Sequence, residues 1–279
     1  MINMIIDFHT HNFPDKIAAT VIAKLEAGGN GAMKAYTDGT LDGLKRSMKN
    51  AGIDYSVVLP VMTSPKQFDT VNKYAAESNG KDGILSFGGI HPDCDDVENK
   101  LDIIKSLGLP GIKIHPDYQG VYIDDDRYIR IIRYAVSIGL YVTTHTGFDP
   151  AFPEIIRCTP ERVLNMLKKV YDGKEPKEPR IILAHLGSLD ETDKVIDMIA
   201  GKNLYLDTAV MLDRIEKEKI LHLIRLHGAN KILFATDSPW ADQTKFVNII
   251  NDLGLNEEEY ELITHKNALS ILKKQNIAF

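Results

Sequence analysis

The feature that most constrains this chain is a set of eight short apolar segments, rich in β-branched residues, that alternate with segments of helical periodicity. Buried strands of parallel sheets have this composition. The count and the alternation predict an α/β fold of the (β/α)8 barrel type, the TIM barrel. The predicted strands are Met4–Phe8, Tyr55–Leu59, Ile84–Ile90, Gly111–His115, Leu140–His145, Arg180–His185, Asn203–Asp207 and Lys231–Asp237.

Apolar residues at three- or four-residue spacing follow each predicted strand, which indicates amphipathic helices. The predicted helices are Leu41–Ala51, Thr70–Asn79, Val97–Leu107, Arg127–Ile138, Pro160–Val170, Glu191–Ala200, Arg214–Leu226 and Thr244–Leu253, with a closing pair at Glu257–Ile263 and Lys266–Gln275. We interpret Gly28–Gly31, after the first strand, as a flexible loop. No segment has the composition of an interdomain linker, so residues 1–279 are predicted to form one domain.

Charge and apolar patterning argue against several classes of function. The formal net charge of −6 provides no basic field for nucleic acid, so a small-molecule partner is favoured. The chain has no run of about 18 apolar residues and no basic leader, so we expect a cytoplasmic protein without a membrane segment. Cys94 and Cys158 are too few for a disulfide framework and are interpreted as buried thiols.

Polar residues collect at the carboxyl ends of the predicted strands. Asp7-Phe8-His9-Thr10-His11 ends the first strand, and two histidines two residues apart on a strand project from one face, where both can reach one metal ion. The preceding Asp7 could orient one ring. Barrel enzymes place their catalytic groups at this end, and buried imidazoles with a carboxylate need a counter-charge, so the pattern predicts a cation site. The other strand-end residues are His91, His115, His145, His185 and Asp237.

These motifs resemble those of the amidohydrolase superfamily, in particular its amidohydrolase-related branch (amidohydrolase 2), which includes metal-dependent hydrolases and decarboxylases. The resemblance runs nearly end to end and implies the metallo-dependent hydrolase type of TIM barrel. The segments that carry it are Asp7–His11, Gly111–Pro116, Thr144–Gly147, Ala184–Gly187, Ala235–Trp240 and the closing Asn267-Ala268.

The resemblance implies that His9, His11, His145 and Asp237 bind one divalent metal ion, with Zn²⁺ expected. Three neutral imidazoles and a carboxylate suit Zn²⁺, which lowers the pKa of bound water towards about 7. His185 and Asp237 are the implied catalytic residues that move protons. A role for His185 as a fifth ligand is the alternative.

Lys113 shares a strand face with His115 and has two interpretations. The favoured one is an ion pair with a substrate carboxylate. The other is a carboxylated lysine that bridges a second metal, as in other branches of the superfamily. His91, His115 and Trp240 are also expected to contact substrate, although the two histidines could instead cap their strand ends. Loop aromatics that could line the pocket are Tyr118, Phe148 and Phe152, and no function is assigned to His222, His227 and His265.

The leading hypothesis from the sequence is hydrolysis of a small amide, lactone or ester by metal-bound hydroxide. The alternative is zinc-dependent, non-oxidative decarboxylation of a small carboxylic acid, with His185 or Asp237 moving the proton. A TatD-like deoxyribonuclease is less favoured, because those enzymes usually carry a glutamate on strand four, where Lys113 stands. A non-catalytic metal-binding scaffold is also weighed. A homodimer is an open expectation, because dimers are common among similar proteins.

Overall fold

The computed structural model describes residues 4–273, and in that range nine β-strands alternate with twelve α-helices. Three 3-10 helices and a π-helix lie among them. The strands are β1 (Ile6–Thr10), β2 (Tyr55–Val58), β3 (Ile84–Ser86), β4 (Gly88–Gly89), β5 (Gly111–Ile114), β6 (Tyr141–Thr144), β7 (Ile181–Leu183), β8 (Tyr205–Asp207) and β9 (Ile232–Leu233). Because β3 and β4 together occupy one predicted strand, eight strand positions follow one another along the chain.

The helices begin close to the predicted residues. Leu41–Ala51 and Pro160–Val170 are confirmed to the residue, because the threonine before each helix caps it: Thr40 accepts from Gly43 N–H and Thr159 from Arg162 N–H. The helices are α1 (Asp15–Gly28), α2 (Leu41–Ala51), α3 (Phe68–Ser78), α4 (Val97–Ser106), α5 (Pro116–Gln119), α6 (Asp126–Ser137), α7 (Pro160–Val170), α8 (Thr192–Met198), α9 (Lys217–His227), α10 (Gln243–Asp252), α11 (Glu257–Glu261) and α12 (Asn267–Lys273).

Helix α1 is absent from the sequence prediction, which had only a glycine-rich loop after the first strand. Ala18 is the single fully buried residue of this helix, so its sequence lacks a clear apolar stripe. At the other end of the chain, a π-helix over Leu262–Lys266 joins α11 to α12. The predicted closing pair is therefore one continuous helical stretch, and its predicted end at Gln275 lies outside the described residues.

Strand β1 begins and ends two residues later than predicted, so His9 lies within the strand. The last strand is shorter than predicted, with β9 limited to Ile232–Leu233. The chain beyond β9 nevertheless runs beside β1. Phe8 N–H donates to Phe234 O at 2.9 Å, and Asp237 N–H donates to His9 O at 2.8 Å.

The described chain divides into two compact units. The first takes in residues 4–58, 80–85 and 207–273, and the second takes in residues 59–79 and 86–206. In the first unit β1 pairs with β2 in parallel, with Ile6 opposite Tyr55 and Asp7 opposite Ser56. The β1 side chains are buried throughout, as expected for a strand covered on both faces.

In the second unit the strands from β4 to β8 pair in parallel and in chain order. The β5–β6 register places Gly111 opposite Tyr141 and Ile114 opposite Thr144. Parallel strands in register bring their carboxyl ends to the same edge of the sheet, which is where the histidines of this unit follow. Across residues 4–273, no helix combines the length and the apolar character that a membrane span requires.

Candidate functional site

The first group of candidate ligands, which we call the His9 cluster, consists of His9, His11, Asp207 and Asp237. The Nε2 atoms of His9 and His11 lie 3.2 Å apart. Asp237 Oδ1 lies 3.0 Å from His11 Nε2 and 3.3 Å from His9 Nε2. On the other side of the His9 ring, Nδ1 lies 2.8 Å from Asp207 Oδ2. The two imidazoles and the Asp237 carboxylate therefore converge through the Nε2 atoms, and the Asp207 carboxylate contacts the other nitrogen of the His9 ring.

The three converging side chains fit a divalent cation. Ligand bonds of about 2.1 Å in a tetrahedral arrangement place donor atoms about 3.4 Å apart, close to the observed spacing. His9 is 1% exposed and Asp237 is 8% exposed, so the carboxylate has little water to stabilise its charge. His9, His11 and Asp237 are thus residues that could hold a metal ion. Their ligation of a metal stays a prediction.

Backbone hydrogen bonds hold the two ligand-bearing segments together. His11 N–H donates to Ser238 O at 2.6 Å, in addition to the bond from Asp237 N–H to His9 O. Asp237 itself has a φ of +73°, in the left-handed region that a non-glycine residue rarely adopts. This turn directs the Asp237 carboxylate to the two imidazoles instead of continuing the extended chain.

Asp7 is a fully buried carboxylate whose hydrogen bonds reach no imidazole ring. Its Oδ2 accepts from the Thr236 hydroxyl at 2.5 Å and from Gln243 Nε2 at 2.8 Å, and its Oδ1 accepts from Thr236 N–H at 2.9 Å. Burial raises the pKa of Asp7 to about 7, although these donors lower it. The expectation that Asp7 orients a ring is therefore wrong. Asp7 instead ties β1 to the segment that carries Asp237.

The second group, which we call the His145 cluster, consists of His115, His145, His185, Asp117 and Asp149 at the ends of β5, β6 and β7. The rings of His115 and His145 stack, with centroids 4.1 Å apart and planes 8° from parallel. His145 Nδ1 lies 2.9 Å from His185 Nε2. A hydrogen bond between two neutral imidazoles uses the N–H of one and the lone pair of the other, so this pair can share a proton.

Each carboxylate of the His145 cluster faces one imidazole. Asp149 Oδ2 lies 3.5 Å from His115 Nε2, and Asp117 Oδ2 lies 3.8 Å from His145 Nε2. Burial raises the pKa of Asp117, against the lowering effect of Arg157. Ligand atoms of His115, His145 and Asp149 all lie within 4.8 Å of one another, so these three residues could also hold a metal ion.

His115 is held in place by Gln119, one turn further along the chain. Gln119 Oε1 accepts from His115 N–H at 3.0 Å and from the Tyr128 hydroxyl at 2.5 Å. Gln119 Nε2 donates to the carbonyls of Met62 and Ile90, at 2.9 and 2.7 Å. All of these bonds are buried, so Gln119 fixes the end of β5 against the ends of its neighbours in the same unit.

His185 begins a 3-10 helix that is separated from the end of β7 by one residue, and the backbone there is strained. His185, Leu186 and Gly187 have φ values of +58°, +50° and +94°. Only the glycine adopts such a conformation without steric cost. Strain of this kind clusters at functional sites, where surrounding contacts hold a side chain in a required direction. Here it directs the His185 ring to His145.

Three further predicted site residues are Lys113, His91 and Trp240. Lys113 lies in β5 at 1% exposure, opposite Thr143 of β6. His91 accepts from Asp93 N–H through Nδ1 at 3.2 Å, the contact of a strand-end cap, and burial lowers its pKa. Trp240 is half-buried, and its backbone N–H donates to Asp237 O at 2.8 Å. Their contact with substrate stays a prediction.

Sequence reasoning missed three carboxylates. Asp207 is the last residue of a predicted strand, so the strand-end rule that selected the histidines would also have selected it. Asp117 and Asp149 lie two to four residues beyond predicted strand ends, in loops where acidic residues are common. Their partners are imidazoles on other segments, and no local pattern in the sequence indicates such pairs.

A family model described as Amidohydrolase matches residues 6–274 of the sequence. The chain belongs to the amidohydrolase family. The match covers nearly the whole chain and confirms the amidohydrolase-related (amidohydrolase 2) branch, whose members are metal-dependent enzymes. No curated protein sequence matches this amidohydrolase-family chain.

Solved structures share the fold over their whole length. A 2,6-dihydroxybenzoate decarboxylase from Rhizobium is 16% identical, with a TM-score of 0.72, and the alignment covers 97% of this chain and 99% of that one. A dihydroxybenzoic acid decarboxylase from Polaromonas, solved with bound manganese and 2-nitroresorcinol, is 14% identical, with a TM-score of 0.69 and full coverage of both chains. An uncharacterised TIM-barrel protein from Bordetella bronchiseptica is 17% identical, with a TM-score of 0.76, covering 98% and 99%. These similarities confirm the predicted (β/α)8 fold.

Proposed function

We propose that this amidohydrolase-family enzyme is a metal-dependent, non-oxidative decarboxylase of a small carboxylic acid. In that reaction the bond between the substrate carbon and its carboxylate breaks, and the electron pair stays on the carbon. Carbon dioxide leaves and a proton takes its place. The protein must therefore bind a carboxylate, keep water away and deliver one proton to carbon.

The buried hydrogen bond between His145 and His185 is the observation that carries the proposal. His185 is 3% exposed and His145 is 5% exposed, so a proton shared by the two rings is shielded from bulk water. When one ring of the pair carries an additional proton as imidazolium, it can release that proton to carbon, and both rings are then neutral. Hydrolysis requires a water molecule at the reacting centre and makes no comparable demand for a shielded proton.

Binding of the substrate is assigned to cationic groups. A divalent cation held by His9, His11 and Asp237 would supply positive charge for substrate oxygen atoms. His145 as a further ligand stays a prediction. Lys113 is a buried amine on the face of β5 that it shares with His115, and we assign it to the substrate carboxylate, which it would bind as an ammonium group.

The comparisons support an aromatic acid as the substrate class, and an enoic acid is the alternative. By their names, the Rhizobium and Polaromonas proteins decarboxylate dihydroxylated benzoic acids. We propose a substrate with a hydroxyl next to its carboxylate, since two neighbouring oxygens bind a cation better than one. Imidazole and carboxylate ligands suit Zn²⁺, and the manganese on the Polaromonas protein makes Mn²⁺ the second metal to test.

Hydrolysis of an amide, ester or lactone is the second candidate, and it is compatible with the family match. It would use the same cation-binding residues, with His185 or Asp237 accepting a proton from water. The two functions differ in their products, because hydrolysis adds an oxygen from water and decarboxylation does not.

The experiment is a product analysis of the Zn²⁺- and Mn²⁺-loaded enzyme with hydroxybenzoic acids, enoic acids, lactones and amides. We expect release of carbon dioxide, one deuterium on the vacated carbon in D₂O, and no ¹⁸O uptake from labelled water. His185→Gln should lower kcat by about 10²–10⁴-fold. His222→Gln, on the exposed face of α9, is the matched control and should keep full activity. Uptake of ¹⁸O into the product would overturn decarboxylation in favour of hydrolysis.

A further inference from the structure

We infer that Asp207 positions the His9 imidazole for cation binding, so that strand β8 contributes to the site without supplying a ligand. The inference rests on the proposed cation-binding role of His9, His11 and Asp237. It is independent of the reaction that the enzyme catalyses.

The contact between Asp207 and His9 selects which nitrogen of the ring faces the cation. Asp207 is fully buried, and its Oδ2 lies 2.8 Å from His9 Nδ1. A carboxylate accepts only, so the proton of the neutral ring must sit on Nδ1. Nε2 then has the lone pair, and Nε2 is the atom that lies 3.2 Å from His11 Nε2. The carboxylate therefore sets the tautomer that a metal ligand requires.

The Asp207 carboxylate is itself held in place. Its Oδ1 accepts from Ala209 N–H at 3.1 Å, which leaves Oδ2 directed to the His9 ring. The hydroxyl of the next residue, Thr208, donates to Ala235 O and accepts from Ala235 N–H, both at 2.8 Å. Its N–H also donates to Leu233 O at 3.0 Å. The end of β8 is thus fastened to the chain that leads from β9 to Asp237.

The segment that follows Asp207 contains a residue with a strained backbone. Val210 has a φ of +54°, in the left-handed region that disfavours β-branched side chains. Its N–H donates to Thr236 O at 3.2 Å, one residue before Asp237. A strained turn that persists in a buried segment indicates that a particular geometry is retained there. The Val210 bond connects the turn that follows Asp207 to the residue before Asp237.

A neighbouring aspartate provides a matched control. Asp7 is as buried as Asp207 and belongs to the same unit, but it accepts from the backbone N–H groups of His9 and Thr236, a hydroxyl and an amide, and it contacts no imidazole ring. Asparagine at this position keeps an acceptor oxygen for the His9 backbone N–H. Substitution of Asp7 by asparagine tests the effect of losing a buried carboxylate near β1. Substitution of Asp207 by asparagine tests, in addition, the loss of the charge that the His9 ring contacts.

The experiment compares wild type, Asp207→Asn and Asp7→Asn as full-length folded proteins. Affinity for Zn²⁺ and Mn²⁺ is measured by chelator competition, and the ring tautomers are measured by long-range ¹H–¹⁵N correlation of histidine-labelled protein, with His9→Gln to assign the signal. We expect Asp207→Asn to bind either metal about 10–100-fold more weakly. In the metal-free form of this variant, the His9 ring should no longer carry its proton on Nδ1 alone. Asp7→Asn should keep the wild-type tautomer and an affinity within about threefold of wild type.

Two results would overturn the inference. If Asp207→Asn keeps both the wild-type affinity and the wild-type tautomer, Asp207 is only a structural residue, and the proposed cation site and reaction are untouched. If the wild-type protein binds neither Zn²⁺ nor Mn²⁺, the cation-binding role of the His9 cluster fails together with the role of Asp207. Failure of decarboxylation alone, with normal metal binding, leaves this inference standing.

Discussion

Two buried aspartates of the first unit illustrate how partners decide the role of a residue. Asp207 faces an imidazole nitrogen, so its charge affects a candidate ligand. Asp7 faces two backbone N–H groups, a hydroxyl and an amide, so it joins segments that lie far apart in the sequence. The same side chain therefore serves a site in one case and a strand junction in the other.

The Asp7 junction leads to a prediction about stability. Asp7→Ala removes the acceptor from Thr236 and Gln243 and should lower the free energy of unfolding by about 2–4 kcal/mol, because buried donors are left unsatisfied. Asp7→Asn should cost less than about 1 kcal/mol, since Gln243 Oε1 has no hydrogen-bond partner among the described residues and can accept from the new amide. Urea unfolding of both variants at pH 7 measures the difference. Equal losses in the two variants would contradict this assignment.

At the scale of elements, short connections after the strands set the direction of the site residues. The segment after β6 illustrates this, because Gly147 forms a β-bridge with Leu189 after β7. A Cβ atom on Gly147 would lie 2.1 Å from Leu189 N, and the φ of Gly147 is +87°. The close approach of these two connections therefore requires a glycine, two residues beyond His145.

We predict that Gly147→Ala destabilises the protein by about 3 kcal/mol or more, because backbone atoms must move apart in addition to the strained φ. Gly120→Ala is the matched control: its φ is +69°, but a Cβ there would meet no atom within 4 Å. The control should cost about 1 kcal/mol, from the conformation alone. Urea unfolding with circular dichroism separates the two variants. A control that costs as much as Gly147→Ala would show that the close approach is unimportant.

Helix α6 begins with a charged cap whose strength depends on pH. Asp125 Oδ1 accepts from Arg127 N–H at 3.0 Å and from Arg127 Nε at 2.9 Å. The Arg127 guanidinium lowers the pKa of Asp125 to about 2, from a usual value of 3.8. Between these values the unfolded chain binds more protons than the folded one. The stabilising contribution is therefore complete above about pH 4 and is lost as the pH falls towards 2.

Asp125→Asn keeps the capping oxygen but removes the titrating charge. We expect wild type to be more stable than Asp125→Asn by up to about 1 kcal/mol at pH 5, a small value because the pair is partly exposed to solvent. The difference should shrink steadily between pH 4 and pH 2. Thermal unfolding at pH 5, 4, 3 and 2 measures it. A difference that stays constant over this range would show that the ion pair contributes nothing.

At the scale of the whole molecule, the two compact units are interleaved along the chain. The first consists of three chain segments and the second of two, so neither is a contiguous piece of sequence. The prediction of one domain stays a prediction, and we expect a single unfolding transition whose calorimetric and van't Hoff enthalpies agree. Differential scanning calorimetry tests this, and two resolved transitions would contradict it. The expected homodimer also stays a prediction.

Removal of the metal should lower the stability of the whole chain, since a ligand that binds only the folded state adds to its free energy of unfolding. A divalent metal at 100 times its Kd should add about 2.7 kcal/mol, or a rise in Tm of about 5 °C for a chain of this size. Addition of a chelator should reverse the rise. His11→Ala, which removes a candidate ligand, should show little or no shift on metal addition. The same rise in this variant would place the metal elsewhere.

Much of the architecture could be predicted from the sequence, because it is encoded locally. The capping threonines and apolar spacing of α2 and α7 lie within a few residues of one another, and both helices have their predicted limits. Helix α1 could not be predicted, since it buries a single residue and so leaves no apolar stripe in the sequence. The split of one predicted strand into β3 and β4 could not be predicted either. It depends on which strands pair with which, and the apolar periodicity of the sequence does not indicate strand partners.

The sequence by itself determined the strand–helix alternation, the family and the candidate ligands His9, His11 and Asp237, because strand-end position and residue type are both readable along the chain. Only the tertiary structure decided the partner of each ring. Asp207 and His9 are 198 residues apart, and Asp7 and Gln243 are 236 residues apart. Hydrogen bonds of a few ångströms between such distant residues depend on how strands are placed side by side, and that placement is a property of the folded chain.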